Sequence, residues 1–188
     1  SIESCKDYYN TYFKPNISYF VVVGDIKVDE AKSLAQKYFG DWKAAEVSMP
    51  NTPMPEAPKE TNVVFVDRPG AVQSVINVTY PVDLKVTSDD YVPARVMNNI
   101  LGGGVFSGYL MQNLREDKAY TYGAYSRIDI DENGSSFVVS ANVRNAVTDS
   151  AIAQMFYEIE RMRSELVPQE ELDAAINYLL GSFARSLE

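Results

Sequence analysis

The feature that most constrains this chain is a pair of alternating segments, residues 120–130 and 136–143, joined by Asp131-Glu132-Asn133-Gly134. Asn-Gly tolerates the positive φ of a tight turn, so the spacing predicts a β-hairpin. A hairpin is antiparallel and needs a layer over its apolar face. Candidate layers lie on both sides of it in sequence. Downstream, Asp149 opens an amphipathic helix bearing Ile152, Met155, Phe156 and Ile159, and Pro168-Gln169-Glu170-Glu171 starts another with Leu172, Ile176, Leu179 and Phe183 on its apolar face. Upstream, Ser88 is the predicted N-cap of a helix to about Leu101, with Tyr91, Met97 and Ile100 apolar and Pro93 near its start. A glycine triplet and a short helix with Phe106, Leu110 and Leu114 follow.

Residues 61–66 read as a strand, and residues 74–80 alternate as a half-buried strand that Pro81 ends. The order ββααββαα defines an α+β class: a mostly antiparallel sheet with helices packed on one face. Before this region, Pro50, Pro53, Pro55 and Pro58 mark residues 44–60 as an extended linker. Residues 1–43 are a separate piece. A helical approach over 7–13 leads to the apolar run Tyr19-Phe20-Val21-Val22-Val23, which reads as a buried strand, and then to a helix with Val28, Ala31, Leu34, Ala35 and Tyr38. The chain of 188 residues starts without Met and stops in mid-pattern, which predicts a piece of something longer.

Function is bounded first by what is missing. There is no histidine, which removes Ser-His, Cys-His and His-metal chemistry from this chain. The single Cys5 cannot form an internal disulfide, and without histidine it reads as an ordinary residue. With 17 Lys+Arg against 26 Asp+Glu, a net charge of −9 and no basic run, nucleic acid and anionic membranes are disfavoured partners. No stretch approaches the roughly 18 apolar residues of a membrane span.

Three features invite a site. Asp129-Ile130-Asp131-Glu132-Asn133-Gly134 resembles the start of a calcium loop, but its twelfth position is Ser140, so a hairpin turn is the better reading. Gly102, Gly103 and Gly104 precede a helix without the Lys of a phosphate loop, so a joint that admits another backbone closely is the better reading there. Arg115 at a helix end, followed by Tyr120, Tyr122 and Tyr125, could hold a carbonyl oxygen or carboxylate. On a regular strand Tyr120 and Tyr122 share one face and Tyr125 takes the other. By residue type alone, a surface arginine with core and rim tyrosines is the plainer account.

Taken together, Leu101-Gly102-Gly103-Gly104, Ser107, Leu110, Leu114-Arg115-Glu116 and Tyr122-Gly123 resemble the C-terminal-half signature of the pitrilysin/insulinase family of zinc metallopeptidases, which includes mitochondrial processing peptidase. Tyr9, Tyr12-Phe13-Lys14-Pro15-Asn16, Val21-Val22-Val23-Gly24-Asp25, Phe39-Gly40-Asp41-Trp42 and Arg68-Pro69-Gly70-Ala71-Val72-Gln73-Ser74 fit the same pattern. The resemblance implies a metallohydrolase-like fold. It makes residues 1–43 the trailing strand and helix of the preceding domain, and residues 61–188 a truncated substrate-side domain. It implies that zinc is held by a homologous domain, in the same chain or a partner subunit, and not by this chain. It also implies that Arg115 and Tyr122 contact peptide substrate near the scissile bond and stabilise the transition state, with Gly102, Gly103 and Gly104 as a loop beside the substrate chamber. Many relatives carry Ser-Arg-Leu where this chain has Gly108-Tyr109-Leu110, which leaves no basic residue there. The chain alone is expected to be inactive. Residues 18–39 are further expected to dock as the missing strand and helix of the second domain, because an open sheet edge is a liability. The alternative from a different class is a non-catalytic scaffold or presequence-binding subunit; a small-molecule-binding domain rests on the glycines alone.

Overall fold

A computed structural model describes every residue except Met54, Val105, Glu132, Asn133 and Glu188, so the centre of the hairpin turn and of the calcium-like stretch lies outside the described residues. The chain divides into two compact units, Ser1–Thr52 and Pro53–Glu188.

The second unit is built on β1 (Gln73–Val82), β2 (Thr121–Asp129) and β3 (Ser135–Arg144), all antiparallel, in the order β1-β3-β2. The hairpin β2–β3 is the one expected from the alternation. β1 pairs along its full length with β3, from Gln73 opposite Arg144 to Val82 opposite Ser135. It therefore runs through Pro81 instead of ending there, which an edge strand tolerates because proline lacks only the N–H that a further neighbour would need. Ile76, Ala124, Phe137, Val139, Ala141 and Val143 form one face, against which Leu101, Leu110, Leu114, Ala151 and Met155 pack. Each of the larger fully buried side chains stabilises the fold by about 1.5–3 kcal/mol. The opposite face keeps Val75 and Tyr125 exposed. The architecture is α+β, with its helices on one face.

Those helices are α3 (Tyr91–Asn98), a single turn α4 (Tyr109–Met111), α5 (Thr148–Ser164) and α6 (Gln169–Ser186). α3 starts later than expected. Ser88 makes no cap; its hydroxyl accepts the Lys85 N–H at 3.0 Å within the preceding turn. Residues 61–66 form no strand and stay exposed. Their β-branched and aromatic side chains supply β preference, but a strand exists only where a neighbour completes its ladder.

The first unit contains α1 (Ile2–Tyr12) and α2 (Val28–Phe39). α1 starts at the Ser1 cap, whose side chain accepts the Ser4 N–H at 3.2 Å, and stops before Lys14, which is extended ahead of Pro15. The apolar run 19–23 forms no strand, with Tyr19 and Val23 more than nine-tenths exposed. This corrects the expected buried strand; the second unit's own sheet holds β1, β3 and β2 among the described residues.

Candidate functional site

The helical stretch around the glycines departs from the two simple helices that periodicity suggests. Asn99–Gly103 and Gln112–Asp117 are both π-helical, flanking α4. A π turn accommodates an extra residue at a cost in geometry and tends to occur at functional sites. The glycines let this region come close to the sheet. A Cβ on Gly102 would stand 2.6 Å from the Ser126 backbone nitrogen on β2, and one on Gly108 would stand 3.0 Å from the Gly102 Cα. Gly102 and Gly103 thus continue a helix, and Gly104 leaves it in extended conformation. Of the three, only Gly103 is exposed.

Arg115 stands on the second π segment, its side chain about one-third exposed. Its Nε lies 3.4 Å from Glu116 Oε1, and its Cζ lies 5.4 Å from the centroid of the Phe106 ring. A partly exposed pair of this kind is weak, so the guanidinium can exchange partners readily. The segment then turns into β2 through Ala119, which takes φ +51°, a left-handed conformation unusual for a residue with a Cβ. The Tyr120 N–H donates to the Leu114 carbonyl at 2.8 Å, and the Ala119 N–H donates to the Arg115 carbonyl at 3.0 Å.

A β-bulge follows directly. Thr121 pairs with Val143 and Ala124 with Ala141, so Tyr122 and Gly123 together oppose Asn142. Thr121 Oγ1 accepts the Gly123 N–H at 3.1 Å and donates to the Asn142 carbonyl at 2.6 Å, which pins the bulge across the hairpin. The consequence is a reversal. Ala124 is fully buried, and two residues earlier a regular strand would point Tyr122 into the same core; instead Tyr122 is 89% exposed. Tyr120 is half-buried and packs against the core, so the two tyrosines do not share a face. Thr121, which holds the bulge, is not among the residues the sequence singles out, although a glycine inside a strand, here Gly123, is a bulge signal. Both π segments pack against β2, so Gly102 and Arg115 each sit on an element packed on the strand that carries Tyr122.

Tyr109, the departure from the family pattern, is buried. Its hydroxyl donates to Glu171 Oε2 at 2.6 Å, and the Arg161 guanidinium covers its ring at 4.0 Å. Burial, and then the Glu171 hydrogen bond, push its phenol from 10.0 up to about 12.

Among the described residues no three His, Cys, Asp or Glu side chains gather into a group that could hold a metal ion. With no histidine in the sequence, the zinc of the resembled family does not fit this chain's residues. Nor is any described helix long and apolar enough to cross a membrane.

Fold and site define an α+β domain that presents an arginine from a π turn of its helical layer and a tyrosine from a bulge in its sheet. The chain belongs to the peptidase M16 inactive domain family, whose model matches residues 1–179, and the pitrilysin/insulinase resemblance is thereby established. The probable inactive metalloprotease YmfF of Bacillus subtilis is 31% identical over 110 residues, 57% of this chain and 25% of that protein. The peptidase M16 inactive domain from Pseudomonas fluorescens superposes with a TM-score of 0.71 at 23% identity, covering 86% of this chain and 38% of that one. A protease from Helicobacter pylori gives a TM-score of 0.78 at 19% identity, covering all of this chain and 46% of that one. The chain therefore spans less than half the length of these relatives.

Proposed function

We propose that this chain is the substrate-side half of a zinc-dependent peptidase, pairing with a homologous metal-bearing domain in the same polypeptide or a partner subunit. Arg115 and Tyr122 hydrogen-bond a peptide substrate beside the scissile bond. The observation that carries this reading is the bulge that turns Tyr122 out of the core next to the π turn bearing Arg115. A guanidinium and a phenol are both donors, and donors held in place before the reaction stabilise negative charge developing on a carbonyl oxygen. The exposed Gly103 edge then lies along the path of the peptide.

A second reading is favoured by one finding, the description of both the family and YmfF as inactive. In that reading the domain binds peptide or scaffolds an assembly without contributing to cleavage. The two are separated by peptide cleavage measured on the longer protein, or on this chain mixed with its metal-bearing partner. Arg115→Ala and Tyr122→Phe should lower turnover by about ten- to a thousand-fold while folding is retained. Cleavage at the wild-type rate would give the scaffold reading the field.

A further inference from the structure

Glu158 on α5 is only 3% exposed, and carboxylates are almost never buried so deeply without partners. Its partners lead in two directions. Asn113 Nδ2, on the second π segment, donates to Glu158 Oε1 at 2.5 Å and to Gln154 Oε1 at 3.0 Å. Arg161 Nη1 donates to Glu158 Oε2 at 3.4 Å, and the same guanidinium covers Tyr109, whose hydroxyl reaches Glu171 on α6. One chain of polar contacts thus ties α4 and the π turn to α5 and α6.

Stability does not account for this network. A buried carboxylate paired with a partly exposed arginine is no better on average than apolar residues of the same shape, and this network leaves Asn113 Oδ1 buried with no hydrogen-bond partner. It is not a ligand pocket either, since the cavity beside Tyr109 and Arg161 measures about 10 Å³, room for at most one water. What hydrogen bonds supply and apolar contacts do not is register. A π turn needs that, because expelling its extra residue would restore ordinary α geometry. Each residue of an α-helix advances by about 100°, so that slip would swing Arg115 by the same angle.

We propose that Glu158, acting through Asn113, and Tyr109, acting through Glu171, are positioning residues that lock Gln112–Asp117 in π geometry and so aim Arg115. The aim matters through the role given to Arg115 above, on which this inference rests. Two measurements test it. The first is hydrogen exchange of the full chain, followed by mass spectrometry. Glu158→Leu should accelerate exchange over residues 109–118 by at least about tenfold, leaving Ser135–Arg144 on β3 unchanged. Glu158→Gln keeps an acceptor for Asn113 and should stay within about threefold of wild type. Unchanged exchange at 109–118, or equal acceleration in β3, would overturn the lock. The second is cleavage by the paired protein, in which Glu158→Leu should lower kcat more than it raises KM and should add nothing to Arg115→Ala; additive losses would refute positioning. If Arg115→Ala cleaves normally, the proposed function fails while the exchange experiment still decides the lock. If Glu158→Leu does not fold, Tyr109→Phe replaces it, with an expected acceleration of about threefold over 109–118.

Discussion

The two units bury their apolar side chains to opposite extents. In Pro53–Glu188, Leu110, Leu114, Val139, Val143 and Met155 are closed off from solvent; in Ser1–Thr52 no residue is buried. The apolar material is comparable, but only the second unit has a sheet for its helices to cover, and a unit of about fifty residues has little interior to offer. The difference explains where unusual backbone can survive. Two π turns, a bulge and a left-handed Ala119 all lie in the unit whose core can over-determine them, which is where strained geometry persists. A site that must hold donors in place belongs on such a frame.

Substitutions in the two units sharpen or break that contrast. Leu114→Ala, at a fully buried position, should destabilise the chain by about 3–5 kcal/mol in urea unfolding. A loss below about 1 kcal/mol would mean the core does not carry the unit. Gly102→Ala should cost about 1–3 kcal/mol, because its Cβ meets the Ser126 backbone and neither strand nor π turn can retreat freely. Ala119→Gly should gain about 1 kcal/mol by relieving the left-handed conformation. A pH series gives a subtler signature. The raised Tyr109 phenol favours the protonated folded state, so its contribution is complete below pH 10.0 and is lost as pH rises toward about 12. Tyr109→Phe should flatten that decline. The smallest effect belongs to the first unit, where Val21→Ala should change stability by less than about 0.5 kcal/mol. A large loss there would show that residues 19–23 are buried in solution.

Much of the second unit is legible in the sequence because its signals are local. The hairpin follows from alternation around Asn133-Gly134, and α5 and α6 follow from their apolar stripes. Residues 19–23 and 61–66 mislead for the complementary reason, since their strand signal specifies a conformation and no partner. The site divides in the same way. Arg115 and Tyr122 are singled out by the family resemblance, whereas by residue type alone they read as a surface arginine and one of several core and rim tyrosines. The π turns are set by packing on β2, and Asn113 and Glu158 meet across 45 positions of sequence, beyond any local pattern. The bulge was within reach at Thr121-Tyr122-Gly123, but the regular-strand reading put Tyr122 on the wrong face.

The most direct test of the central claim is Tyr122→Phe in the paired, metal-loaded protein, with thermal unfolding measured on the same preparation. The change removes one oxygen from a side chain 89% exposed, so folding has no reason to respond. The account predicts an unchanged unfolding midpoint and a fall in kcat of about tenfold or more. Wild-type kcat from the folded variant would contradict it, and would leave the outward-turned tyrosine without a part in catalysis.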